Sequence, residues 1–513
     1  MENQFSAFEM HGLSASIESL IKEIQDIYLK DHIPWVVGYS GGKDSSATLQ
    51  LVWTAIKKLS PSQRIKKIHV ISTDTLVENP IVALWQEASL KKMLDCAENE
   101  HLPIIPHRLI PNISDTFWVK VIGKGYPAPR QGFRWCTLRL KINPSNTFIK
   151  NLVKESGEAI IVLGTRKAES SMRARSMNAR EQKRTREHLS PNPTLPNSLV
   201  YSPIEAWSND DVWTYLMQYE NPWGLKNHSL LTMYASASED HECPLVLDTD
   251  TPSCGDSRFG CWVCTLVEKD KSMAAMIQND EEKEWMLPLL NLRDELDFRG
   301  DEKRARELSR RDFRRMDGNI HYNKYNDGVI PGPYTQKARA EWLERVLLAQ
   351  KWIQEHAPKE VEKYQIITIP ELKEIRRIWV VEKHEFEDLL PIIYKKVFGV
   401  SFIDTAQYNS LMFSQEDLDI LKQECSDDIQ YQTIRELLDI ERKYKTSQRR
   451  AGLFDDIESA IKKGFFSDIT EAEKNARERH EQQVQLSKMK EQENLDGLSE
   501  FLSNLLNGDN HDN

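Results

Sequence analysis

Two short stretches of this sequence hold residue types that could do chemistry. The first is Ser40-Gly41-Gly42-Lys43-Asp44-Ser45. Its glycines let backbone N–H groups approach an anion closely, and a helix starting behind them would aim its positive end at that anion. Lys43 adds a point charge, while Ser40 and Ser45 offer hydroxyl donors. The loop is shorter than GxxxxGK(S/T), whose span wraps a nucleotide cleaved at its γ-phosphate. An ordinary glycine turn is the bland alternative; the apolar run before the loop and the helical spacing after it favour phosphate binding.

The second stretch is Cys254-x6-Cys261-x2-Cys264. Thiolates at such spacing select zinc or an iron–sulfur cluster, and spacing alone does not separate the two. A fourth ligand is needed. Cys136 is the distant candidate and Cys243 the nearer one. Cys96 and Cys425 read as small apolar residues. Seven cysteines in a chain with no export signal at Met1–Gly12 do not read as a disulfide framework. Thr73-Asp74-Thr75 is a further candidate: Asp74 could orient a ribose, hold Mg²⁺, or simply cap the next helix.

These residues need elements to position them. Helical spacing runs through Ser16–Lys30, and Trp35–Tyr39 is a short apolar run ending at the glycine loop. Ala47–Lys58 continues as a helix, Ile68–Ser72 as a strand, Ile81–Asn99 as a helix and Ala159–Gly164 as a strand. The alternation predicts an α/β fold, a doubly wound parallel sheet covered on both faces. Beyond about Ala275 charged helical stretches dominate, interrupted by a loop or hairpin at Asp317–Tyr334. The expected organisation is an N-terminal helix (1–30), a nucleotide-binding α/β domain with the cysteines (31–275), a helical charged accessory domain (276–467), and a polar helix leading to an apolar face (468–513). That face, Leu495, Leu498, Phe501, Leu502, Leu505 and Leu506, either docks a partner or packs back on its own domain.

Length and composition set outer bounds. A chain of 513 residues exceeds the usual size of one core, so two or three domains are expected. No run of about 18 apolar residues exists, so neither a membrane span nor a membrane partner is expected, and the cytoplasm is the predicted location. The net charge of −11 does not exclude nucleic acid, because charge is patchy. Arg166–Arg186 holds eight Lys or Arg against two Glu, and Lys303–Arg315 seven against two acids. Either run could contact a nucleic-acid backbone or be a solvated helix face.

Several segments together resemble known families. The SGGKDS loop resembles the PP-loop of ATP pyrophosphatases, which cleave between the α and β phosphates. Trp135–Pro144 is similar to the CCxxRKxxPL segment of the 3′-phosphoadenylylsulfate (PAPS) reductase family. Here Trp135 replaces the first cysteine, Leu140 replaces the lysine and Pro144 falls one place late. Leu163–Arg173 resembles that family's GxRxxxSxxR stretch, and Tyr201–Trp213 its PLxxWxxxDVW segment. Gly260–Thr265 resembles the GCxxCT motif of its cluster-bearing members. The motifs occur in order over residues 33 to 270. The extra Cys254, the lost cysteine at Trp135 and the long C-terminal region resemble the DndC group, the ATP pyrophosphatases of bacterial DNA phosphorothioation.

The resemblance implies specific roles. Ser40, Gly41, Gly42, Lys43, Asp44, Ser45, Thr73, Asp74, Gly164, Arg166 and Arg173 would bind ATP with Mg²⁺, and Lys43, Asp44 and Arg166 would be catalytic. Cys136, Cys254, Cys261 and Cys264 would hold a 4Fe–4S cluster. The implied partners are DNA, a cysteine desulfurase as sulfur donor and other Dnd proteins. A sulfonucleotide (PAPS or APS) reductase, a PP-loop tRNA thiolase and a non-enzymatic, nucleotide-gated scaffold are the competing expectations.

Overall fold

The computed structural model describes residues 6–184, 186–237, 259–316, 320–323, 328–361, 364–404, 415–445, 450–464 and 469–508. It divides into two compact units. The first comprises 1–120, 128–297 and 344–372, the second 121–127, 298–343 and 373–513.

The first unit is built on a six-stranded sheet. Its strands are β1 (Trp35–Gly38), β2 (Ile68–Thr73), β3 (Ile104–Leu109), β4 (Ala159–Val162), β5 (Ser190–Pro191) and β6 (Ser198–Tyr201). The spatial order is β3-β2-β1-β4-β6-β5, parallel throughout except for the β5–β6 pair. The helices are α1 (Leu13–Leu29), α2 (Lys43–Lys57), α3 (Pro80–Asn99), α4 (Asn143–Ser156), α5 (Ser171–Glu181), α6 (Asn209–Gln218), α7 (Asn227–Ser236), α8 (Lys271–Asn279) and α9 (Leu287–Leu296). The doubly wound parallel sheet anticipated from the sequence is present.

Strand alternation explains how both faces are covered. Val36 joins Ile71, Ile161, Ile149 and Leu152 in a core cluster on the α4 side. Its neighbour Trp35 points the opposite way and meets Tyr28 of α1, with ring centroids 5.6 Å apart. Because β1 pairs β2 on one side and β4 on the other, strand order reverses at β1/β4. The crevice beyond the carboxyl ends of those two strands is where such sheets bind ligands.

Local capping fixes the helix starts. Asn79 accepts the Ile81 N–H at 3.0 Å and Pro80 opens α3. Ser208 and Asp211 form a capping box at α6, with Asp211 also accepting from Ser6 and the Ala7 N–H. The Trp207–Trp213 motif is thus, in this chain, a helix start tied to the N-terminal segment.

Among its described residues the second unit is helical, apart from an antiparallel strand pair (Tyr322–Asn323 with Gly328–Val329) within the 317–334 break. Trp379 Nε1 donates to the Ile122 carbonyl at 2.8 Å, and the buried Arg339 pairs with Glu385. The division of the chain differs from one cut near residue 275. Helices α8 and α9, and residues 344–372, belong with the first unit. Their charged residues mark only the solvent side of helices whose other sides are buried, as at Met273, Met276, Leu289 and Leu292. The last helix runs from Ile469 to Gly508, but the side chains of Leu495–Leu506 lie outside the described residues. Among the described residues no helix is long and apolar enough to cross a membrane.

Candidate functional site

Ser40–Ser45 links β1 to α2 at the switch point. Gly41 has φ +74, and a Cβ there would lie 2.7 Å from Gln86 Cγ, so both conformation and space require glycine. Gln86 of α3 in turn donates to the Ser40 carbonyl at 2.6 Å. Ser45 Oγ accepts the Ser40 N–H at 3.2 Å and donates to the Gly42 carbonyl at 3.0 Å, bracing the loop internally. The Gly42 and Lys43 N–H groups make only long bonds, 3.5 Å to Ser40 Oγ and 3.4 Å to Tyr234 Oη. Both exceed the usual N–H···O range, so an anion at the α2 N-terminus would gain these donors at small cost. Burial pushes the Tyr234 phenol well above its ordinary range, keeping it a neutral hydroxyl beside the Lys43 ammonium.

Asp44 opens α2 and pairs with the buried Arg166, Nε to Oδ1 at 2.6 Å. Arg166 Nη1 also donates to the Trp207 carbonyl at 3.3 Å. The pair crosses the switch point, joining the loop after β1 to the loop after β4. Gly164, also after β4, packs directly on the α2 backbone: a Cβ would lie 2.6 Å from the Asp44 carbonyl oxygen. Its glycine is therefore explained by helix packing alone. Arg173, in the first turn of α5, is exposed and pairs with Glu169 at 2.7 Å.

Asp74 takes a different place from any foreseen in the sequence. Its carboxylate accepts the Leu76 N–H at 2.8 Å and pairs with Arg108 at 2.5 Å, while the α3 cap is Asn79. A ribose or Mg²⁺ would have to exchange with Arg108. Thr73 Oγ1 lies 2.9 Å from Ser145 Oγ.

The cysteine turn is held to the segment after β2. Trp262 N–H donates to the Val77 carbonyl at 3.0 Å, and Thr75 Oγ1 lies 3.4 Å from Cys261 Sγ. Cys264 N–H closes the turn on the Cys261 carbonyl at 3.0 Å. Burial and the Glu78 carboxylate push the Cys261 thiol up to about 12, against a downward pull from Lys141. Burial, with the neighbouring Cys264, also raises Cys136. The structure thus brings Cys136, Cys261 and Cys264 to one sheet edge, while Cys254 and Cys243 lie outside the described residues. Among the described residues no group of three or more His, Cys, Asp or Glu converges as it would around a single ion. A cluster spreads its cysteine ligands farther apart, and three gathered thiols suit that donor chemistry. Binding would release the protons that burial keeps on Cys136 and Cys261.

The irregular match at Trp135–Pro144 has a structural basis. Thr137–Ile142 is a π-helical turn, the geometry that accommodates one extra residue within a helix. With Leu140 as the extra residue, Lys141 takes the lysine position and Pro144 falls into step. Leu140 is buried, and Lys141 Nζ reaches Glu78 Oε1 at 3.4 Å beside Cys261. Trp135 stacks on Phe117 with centroids 5.5 Å apart, filling space where the motif has its first cysteine.

Three contributors escaped sequence reading: Tyr234, Gln86 and Arg293. Arg293 of α9 is 1% exposed and donates to the carbonyls of Cys264 (3.2 Å), Glu268 (2.8 Å) and Val267. No motif marks it, but an arginine between Leu292 and Leu296 on a buried helix face was a usable signal. Arg293→Ala would orphan three carbonyls, at about 1–3 kcal/mol each if unrelieved by water. The expected result is faster alkylation of Cys264 than in wild type, with the first unit still folded by circular dichroism. An unchanged alkylation rate would deny Arg293 this role.

Residues 34–266 match the phosphoadenosine phosphosulfate reductase domain, so this part of the chain is PAPS reductase-like. An uncharacterised protein of Methanocaldococcus jannaschii is 30% identical over 200 residues, 39% of this chain and 35% of the relative's own length. Solved structures with likeness include PAPS reductase from Candida auris in its phosphate complex, at 12% identity, covering 41% of this chain and 86% of that one, TM-score 0.26. Another is Candida glabrata FMN adenylyltransferase with FAD and inorganic pyrophosphate, at 11% identity, 44% and 62% coverage, TM-score 0.26.

Proposed function

We propose that this chain is a DndC-type ATP pyrophosphatase of DNA phosphorothioation, transferring AMP to a DNA phosphate so that sulfur can replace a non-bridging oxygen. The observation that carries the reading is the pairing of two sites on neighbouring strands. The anion loop follows β1, and the cysteine turn is bonded to the segment after β2.

A non-bridging phosphate oxygen is a very poor leaving group. In the proposed reaction it attacks the α-phosphorus of ATP, the bond to the β-phosphate oxygen breaks, and pyrophosphate departs. A sulfur nucleophile then attacks the DNA phosphorus, and AMP leaves carrying the original oxygen. Sulfur delivered as a persulfide also requires two electrons from a thiol reductant to cleave its S–S bond. Lys43, the Gly42 and Lys43 N–H groups and the α2 dipole would stabilise charge on the departing pyrophosphate. Mg²⁺ would add charge neutralisation when bound. Arg166 holds Asp44, and with it the first turn of α2, in register with the loop after β4. The exposed arginines of α5, Arg173 and Arg175, would grip the DNA backbone without reading sequence.

Cys136, Cys254, Cys261 and Cys264 would hold the 4Fe–4S cluster, which would supply a sulfur- and electron-rich centre. Anaerobic purification followed by iron and sulfide analysis tests this directly; a colourless, zinc-only protein would overturn it. Cysteine desulfurase and the other Dnd proteins are the expected partners in supplying sulfur.

The functional test is sulfur incorporation from cysteine, desulfurase, a thiol reductant and ATP into duplex DNA or tRNA. Phosphorothioate should form in DNA alone and fall by at least about 100-fold with Lys43→Ala, which removes a charge aimed at the leaving group. Thiolation of tRNA would mark a tRNA thiolase instead. Sulfonucleotide reduction without ATP cleavage would mark a reductase. A Lys43→Ala protein with full modification activity would leave only a scaffold role.

A further inference from the structure

The second unit contains a cavity of about 210 Å³ whose lining is rich in cations, among them Arg314, Arg339, Lys383, Arg435 and Lys463. Most of its charges are matched. Arg339 is bound to Glu385, Arg314 to Asp312 (3.0 Å) and Lys463 to Glu436. Apart from the exposed Arg315, two donors are left over. The Lys383 ammonium has no ion-pair or hydrogen-bond partner among the described residues. Arg435, 3% exposed, spends Nη1 on both oxygens of Glu387 at 2.8 and 2.7 Å but leaves its buried Nε–H without an acceptor.

Leaving such groups in place costs free energy. A desolvated cation needs an opposite charge, and an orphaned buried donor forfeits its bond to water. Burial and the Arg339 guanidinium, a like charge, hold the Lys383 amine down to about 8, against upward pulls from Glu385, Asp312 and Glu382. The backbone that carries this side chain is nevertheless fixed. Lys383 N–H donates to the Ile378 carbonyl at 2.9 Å, Glu385 N–H to the Trp379 carbonyl at 2.9 Å, and His384 between them sits at φ +56. A built turn that presents a cation without a contact ion pair to a cavity is what an anion site requires.

We infer that this cavity is an oxyanion site that takes a phosphate group, with Lys383 and the Arg435 Nε–H as its principal donors. A tetrahedral oxyanion of that size fits the volume, and its several acceptor oxygens can serve both donors at once. The phosphate could be free in solution or part of a nucleic-acid backbone. The inference is independent of the nucleotide reaction proposed for the first unit.

The test is thermal unfolding of the full chain in the Lys43→Ala background, which weakens the phosphate loop as a competing anion site. Inorganic phosphate is compared with chloride at equal ionic strength. Phosphate should raise the unfolding temperature, and adding Lys383→Gln should abolish the rise, weakening phosphate binding by about 10-fold or more. Lys383→Arg keeps the cation and should retain the response. In chloride alone Lys383→Gln should be at least as stable as its parent, because burial and the Arg339 charge outweigh the pull of Glu385, Asp312 and Glu382 on the ammonium. A short DNA duplex separates the sources: loss of the phosphate response in its presence assigns a backbone phosphate, and persistence assigns a free one. Equal unfolding temperatures in phosphate and chloride, or a Lys383→Gln protein that still responds, would overturn the site.

Discussion

Replacing Arg166 with alanine should cost about 3 kcal/mol of stability and lower pyrophosphate release on the order of 100-fold. The two effects share one cause. Arg166 is buried and its 2.6 Å bond to Asp44 is the ionic link between the loops after β1 and β4. Breaking a buried pair costs roughly 3–5 kcal/mol because the remaining charge keeps its desolvation penalty. Asp44 is a quarter exposed and has Lys43 at 3.4 Å, so the lower end applies. A displacement of about 1 Å in the first turn of α2 is enough for a rate loss of that order. Chemical denaturation and a pyrophosphate assay measure the two effects separately. A double variant, Arg166→Met with Asp44→Asn, should recover much of the stability but little of the activity. Recovery of both would reduce the pair to a fold element.

Replacing Gly164 with alanine should be nearly as damaging for a different reason. The new methyl would lie 2.6 Å from the Asp44 carbonyl oxygen, 2.8 Å from its carbon and 2.9 Å from Thr48 Oγ1. Two of these are backbone atoms, which cannot swing aside as a flexible side chain can. The α2 N-terminus must move, at about 1–3 kcal/mol for overpacking, and the phosphate loop moves with it. The expected outcome is a folded protein with a lowered midpoint in urea and about 100-fold slower ATP cleavage. Wild-type cleavage in Gly164→Ala would show that the loop's position does not govern the reaction.

The loop and its flanking elements were legible because periodicity and glycine placement are local signals. Trp35–Gly38 reads as a buried strand, and Gly41 needs φ +74 whatever surrounds it. Gly164 was legible as a motif position but not in its role, because the helix it packs against lies over 100 residues earlier in the chain. Asp74 reads as a strand-end carboxylate that could orient a ribose, hold Mg²⁺ or cap the next helix. Its engagement by Arg108 depends on the β2–β3 register, which no single segment encodes. The Trp135–Pro144 mismatch could not be resolved as a string of letters, because a π-helical turn absorbs the extra residue only in three dimensions. Tyr234 and Arg293 carry no motif, and their roles arise from packing across the sheet edge and beneath the cysteine turn. The charged texture after residue 275 concealed that α8 and α9 belong to the first unit.

The position of ATP cleavage tests the central claim most directly. With ATP labelled at the α-phosphate, the purified protein and duplex DNA should yield pyrophosphate and label transferred to DNA or released as AMP, with Lys43→Ala silent. Labelled ADP as the product, or cleavage indifferent to Lys43, would contradict an anion loop that grips the departing pyrophosphate.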